Sequence, residues 1–197
     1  MEFDPKLHHR HSTRLQTYDY TQAGAYFVTL CAHDRKHLFG EIVNGEMILN
    51  RTGRIVVEEW FKSAALRKEI RLDAFIVMPN HIHGIVLIDQ IGDVGAHGRA
   101  PHSRMSQSVH DNQQSSNDPI LFRPRRSLGT FIAGFKSTVT SKVNNLQKTP
   151  GHPLWQRNYY DHIIRKEESL ERIRHYIAHN PQNWDKDKNN LLENVWL

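Results

Sequence analysis

The 197-residue chain holds one cysteine, Cys31, which excludes a disulfide framework and any cysteine-rich zinc site. No run of 18 apolar residues occurs, so no transmembrane helix is expected. The opening MEFDPKLHHRHS lacks an apolar core, which argues against a Sec-type leader. No glycine-rich phosphate loop precedes a predicted helix, which disfavours an NTPase or a dinucleotide enzyme. No internal repeat is visible. What is present is an ordinary globular balance, 38% hydrophobic and 24% charged, long enough for one domain. Lysine and arginine number 26 against 21 acidic residues, giving +5, and 14 histidines add positive charge under acid conditions. A soluble, cytoplasmic domain with a polyanionic partner fits these features, although charge alone does not name the partner.

The first 24 residues are polar and carry His8, His9, Arg10, His11 and Arg14, which suits a basic arm or an ordered lead-in. Tyr26 to Cys31 reads as a strand from its β-branched and aromatic content, with Cys31 a core residue. Phe39 to Leu49 reads as a hairpin, because Asn44-Gly45 suits a tight type I′ turn. Thr52 can cap a helix in which Val56, Trp60 and Ala64 share one face. Leu72 to Met78 and His83 to Ile88 are apolar runs joined by Pro79-Asn80, and predict an antiparallel pair.

Between Gln90 and Arg126 the composition turns polar and rich in glycine and proline, which predicts a flexible insertion at 90–126 within a single domain over 1–197. Ser127 can cap the next helix, whose stripe is Leu128, Phe131, Ile132, Phe135 and Val139. Trp155 to Ile164 reads as strand or loop. A final helix over Glu167 to His179 buries Leu170, Ile173 and Ile177, and Asn180 before Pro181 ends it. Without the hairpin and the last helix, the order is β-α-β-β-α-β. That is the split βαβ order of an α+β, ferredoxin-like or RRM-like antiparallel sheet.

Several groups could carry chemistry. His81 and His83 point to one strand face, roughly 7 Å apart by strand rise, and can converge on one ion. From spacing alone, a pair of surface histidines at a strand mouth is the simpler account. Tyr176 and Asn180 stack one helical turn apart, offering a phenol and a carboxamide oxygen. There too, an edge-of-core tyrosine and a helix-terminating asparagine suffice. Lys136 and Lys142 lie along the second predicted helix, and Arg123, Arg125 and Arg126 close the insertion. Trp155 to His162 interleaves aromatic and polar residues, as stacking platforms for unpaired bases do.

The stretch Val77-Met78-Pro79-Asn80-His81-Ile82-His83-Gly84-Ile85-Val86 resembles the HUH signature of single-tyrosine transposases. In particular it resembles the REP-associated tyrosine transposases. The likeness extends through Gly24 to Thr29, Phe135-Lys136-Ser137, Leu154-Trp155-Gln156-Arg157, Tyr160 to Arg165 and Tyr176 to Pro181, in that order. It implies that His81, His83 and Asn180 are ligands of Mg²⁺ or Mn²⁺, with Tyr176 the catalytic nucleophile. Lys136, Lys142, Arg157 and Arg165 are then candidates for DNA backbone contacts. The implied substrate is single-stranded DNA folded as a hairpin, cleaved through a 5′-phosphotyrosine intermediate, in the cytoplasm at the nucleoid. The family admits monomers and homodimers in which the tyrosine helix serves the partner's histidines. Gln182-Asn183-Trp184 departs from the short glycine-containing ending of many members, and the insertion departs from the shortest ones. The rival readings are a domesticated DNA- or RNA-hairpin binder without strand transfer, and a phosphodiesterase that uses water.

Overall fold

The computed structural model describes residues 19–89 and 127–190. Most of the basic arm and the whole 90–126 insertion, with Arg123, Arg125 and Arg126, lie outside the described residues. The chain runs β1 (Gly24–Cys31), β2 (Gly40–Val43), β3 (Glu46–Leu49), α1 (Arg51–Ala65), β4 (Ile70–Met78), β5 (His81–Ile88), α2 (Leu128–Gln147), β6 (Tyr160–Ile164) and α3 (Glu167–Ala178). Four strands form one antiparallel sheet in the order β4-β5-β1-β6, the arrangement expected of the split βαβ order. Strands β2 and β3 form a separate hairpin, turned by Asn44 (φ 53°) and Gly45 (φ 79°) as a type I′ turn requires.

Side-chain alternation along the central strands divides the molecule into two layers. Tyr26, Val28 and Leu30 of β1, with Ile82 and Val86 of β5, join Trp60 of α1 and Phe131 and Phe135 of α2 in the main core. Trp60 is fully buried there, stacked on Phe75 at 4.8 Å and edge-on to Phe131 and Phe135. Its ring lies over Gly84, where a β-carbon would come within 2.6 Å of Trp60 Cζ2. Phe27, Ile85 and Ile164 form a smaller cluster with Ile177 of α3. Leu170 and Ile173 pack against it half-buried, so α3 is held by fewer apolar groups than its stripe suggested.

One local expectation changes and two features are made specific. Asn50, not Thr52, caps α1: its side-chain oxygen accepts from Gly53 N at 2.9 Å, and Thr52 is buried inside the first turn. Strand β6 begins only at Tyr160, while Trp155 makes an isolated bridge with Ala32. Strand β4 carries a bulge: Leu72 pairs with Val86 and Phe75 with Gly84, so Asp73 and Ala74 together oppose Ile85. Ser127 caps α2 as expected, accepting from Thr130 N at 3.3 Å.

Candidate active site

The site lies on the α3 face of the sheet. His81 and His83 open the central strand β5 and are both fully buried. Their Nε2 atoms approach to 3.0 Å, and Tyr176 Oη lies 3.2 Å from His83 Nε2. The two imidazoles are aimed by partners behind them. Asn80 commits its amide nitrogen to the carbonyls of Arg35 (3.1 Å) and Asn189 (2.8 Å). Its Oδ1 therefore faces His81 Nδ1 at 2.8 Å, so His81 Nδ1–H donates and the Nε2 lone pair points forward. Thr29 Oγ1 sits 2.8 Å from His83 Nδ1. With the Tyr176 O–H donating to His83 Nε2, that nitrogen is an acceptor as well. Both Nε2 atoms thus face the same space, 3.0 Å apart.

Burial keeps both rings neutral. It pushes the His81 imidazole down to about 4, partly opposed by Asp187, and it holds His83 well below its ordinary range. Burial also pushes the Tyr176 phenol up to about 12, with Asp187 adding to the rise and Asn180 opposing it.

Oxygen donors complete the cluster. Asp187, after a 3₁₀ turn over Pro181–Lys186, places Oδ2 at 3.8 Å from His81 Nε2. That Oδ2 and Asn180 Oδ1 are both buried and make no hydrogen bond. The ligand atoms of His81, His83 and Asp187 all lie within 4.8 Å of one another. Two neutral imidazoles and two buried, unpartnered oxygens form a donor set suited to a divalent cation.

Tyr176 is held on the rim by the packing of α3. Arg174 Nε and Nη2 donate to both carboxylate oxygens of Asp73, at 2.9 and 2.6 Å. These bonds hold the Asp73 carboxyl below its ordinary range. Because the bulge turns Asp73 and Ala74 to the α3 face together, the carboxylate reaches the helix while Phe75 stays on Trp60. The Tyr176 ring meets Phe27 edge-on at 6.2 Å, and Phe27 in turn stacks on His83 at 5.3 Å.

A cleft of about 710 Å³ opens in front of this cluster, lined by His83, Tyr176, Asn180 and Asp187 together with Arg157, Lys186 and Lys188. Of the four basic residues named from sequence, Arg157 alone lines it. Lys136 lies in a neighbouring groove, where its ammonium donates to the carbonyls of Gln156 and Arg157. Lys142 is ion-paired with the buried Glu59 of α1, and Arg165 lines neither depression. Asp187, Thr29, Lys186 and Lys188 were not singled out by sequence reasoning. Asp187 sits in an alternating Asp-Lys stretch without periodicity, and Thr29 in an apolar strand, so neither gave a local signal.

This fold is that of the REP-associated tyrosine transposases. The solved structure of one, bound to a REP hairpin, superposes over 89% of this chain and 76% of that one, with a TM-score of 0.54. Sequence identity is 16%, so that likeness is one of fold. Closer in sequence is a protein of Haemophilus influenzae described only as uncharacterized, 34% identical over 188 residues, which are 95% of this chain and 96% of the relative. The chain belongs to the same family as that protein. No protein-family model matches it. Among the described residues, no helix is long and apolar enough to cross a membrane.

Proposed function

We propose that the protein is a metal-dependent endonuclease and strand transferase acting on single-stranded hairpin DNA, with Tyr176 as nucleophile. The observation that carries this reading is the placement of Tyr176 Oη 3.2 Å from His83 Nε2, at the mouth of a donor set that includes two buried, unpartnered oxygens. His81, His83, Asn180 and Asp187 would hold the cation; Asp187 extends the ligand set implied by the resemblance. When bound, the cation would supply positive charge to polarise the scissile phosphate and favour the ionised phenol.

The chain's own residues do the rest. Arg157, Lys186 and Lys188 line the cleft and attract the phosphodiester backbone. Tyr176, 41% exposed, stands where a strand in that cleft can reach it. Attack of its oxygen on phosphorus forms a Tyr–O–P bond and breaks the P–O3′ bond. The phenolic proton ends on the released 3′-oxygen. One phosphate ester replaces another, so the 3′-hydroxyl can rejoin without an external energy source.

The test is a denaturing gel of protein with end-labelled hairpin strands and Mn²⁺, wild type beside Tyr176→Phe. A metal-dependent protein–DNA adduct formed by wild type alone is expected. An equal adduct with Tyr176→Phe would refute the nucleophile assignment. Turnover without any adduct would favour hydrolysis by water, and tight binding without cleavage a domesticated binder.

A further inference from the structure

One feature of the cleft has no part in holding a cation or in the attack. Tyr160, on the edge strand β6, is 43% exposed although its ring rests against an aromatic neighbour. Its ring meets Phe27 edge-on, at 6.3 Å and 69°. Phe27 is itself immobilised, stacked on His83 and nearly buried. Tyr160 is therefore braced from below while its ring stays exposed in the cleft. A tyrosine has only two side-chain torsions to lose when something stacks on it, and the Phe27 contact already limits them.

The surroundings state what kind of group that is. Asn158 and Asn183 line the same cleft and offer carboxamide groups, Asn183 with one amide hydrogen already donated to the His179 carbonyl at 2.9 Å. Arg157, Lys186 and Lys188 line it too, so an anion accompanies whatever occupies the aromatic wall. A flat ring with hydrogen-bonding edges, attached to a phosphate, is a nucleotide. A peptide would need a separate acidic group to supply the anion, whereas a nucleotide carries ring and anion in one unit.

We propose that Tyr160 is the stacking platform for an unpaired nucleobase of the strand in the cleft, with Asn158 and Asn183 facing the base edges. This rests on the DNA-acting reading above. It adds a base-binding subsite made of protein to a site otherwise built to hold phosphate.

The test compares two probes of equal length and charge by fluorescence anisotropy in EDTA: a twelve-nucleotide oligothymidine and a twelve-unit abasic strand. Wild type should bind oligothymidine about tenfold more tightly, the lower range for one stacked base. Tyr160→Leu keeps an apolar side chain on the strand but removes the ring; it should bind both probes equally, with circular dichroism unchanged. Tyr160→Phe should restore the preference. A wild-type protein that binds both probes equally would overturn the subsite while leaving strand binding intact. A preference that survives in Tyr160→Leu would overturn it as well. If thymidine monophosphate bound as tightly as the oligomer, the occupant would be a free nucleotide and the strand assignment would fall. Absence of binding to either probe would overturn the subsite, and the DNA-acting reading with it if a hairpin strand also fails to bind.

Discussion

Replacing Gly84 with alanine tests how the sheet supports His83. A β-carbon at residue 84 would lie 2.6 Å from Trp60 Cζ2, 3.2 Å from Cη2 and 3.4 Å from Phe75 Cδ2. Carbon atoms pack at about 3.5–4.0 Å, so the indole must retreat by roughly 1 Å. It has nowhere to go, because Phe75 stacks on its face while Phe131 and Phe135 meet it edge-on. Overpacking of a core costs about 1–3 kcal/mol, and this rigid site belongs near the upper end. With a urea dependence of about 2 kcal/mol/M, the unfolding midpoint should fall by about 1–1.5 M. Trp60→Phe opens the space, and it also removes an indole N–H that is buried without an acceptor. The double variant should therefore be less destabilised than the sum of the singles by about 1 kcal/mol or more. Urea unfolding followed by circular dichroism measures all four proteins. An unchanged midpoint for Gly84→Ala, or strict additivity in the double variant, would refute the packing argument.

Asp187→Asn should weaken Mn²⁺ binding about tenfold or more in calorimetry while leaving the metal-free protein as stable or more so, because a buried unpartnered oxygen loses its charge. A purely structural aspartate would give the opposite pair of results. Arg157→Ala should lower the salt dependence of single-strand binding by about one unit of slope, whereas Lys142→Ala, whose ammonium is engaged by Glu59, should not. Equal effects of the two would contradict the cleft assignment. Burial lowers Lys136 from 10.5 to about 8, so between those values the unfolded chain binds more protons than the folded one. Unfolding free energy should then rise from pH 8 towards pH 10 more steeply in wild type than in Lys136→Met; equal slopes would count against the depressed value.

The strands and helices were legible because their signals are local. The apolar stripe of α2, the Asn44-Gly45 turn and the β-branched runs of β4 and β5 each satisfy a periodicity or a backbone preference within a few residues. Asn50 was missed as a cap because Asn and Thr are both good caps, and only the extended backbone at Asn50 decides between them. The histidine pair was visible as a spacing, but its meaning was not. That Thr29 and Asn80 aim the two rings depends on register: Thr29 pairs with His83 across β1 and β5, which no single segment encodes. Asp187 was hidden for a similar reason, since only the return of the chain after α3 brings it to His81.

The bulge in β4 links these levels. A regular strand would turn Asp73 and Ala74 to opposite faces, and keeping Asp73 towards α3 would then carry Phe75 off Trp60 or shift the pairing of β4 with β5. One extra residue in β4 separates the two demands: Phe75 remains on Trp60, and Asp73 still reaches Arg174. That ion pair matters because α3 has little else to hold it, with Ile177 its one buried apolar residue and Leu170 and Ile173 half-exposed. Arg174 precedes Tyr176 by two positions, so fixing its guanidinium fixes the last turn of α3, which carries Tyr176 and leads after two residues to Asn180 at the start of the 3₁₀ turn. Tyr176, Asn180, His81 and His83 thus come together within one chain through a local irregularity of the sheet, at a place where pairing with β5 is interrupted by a single residue.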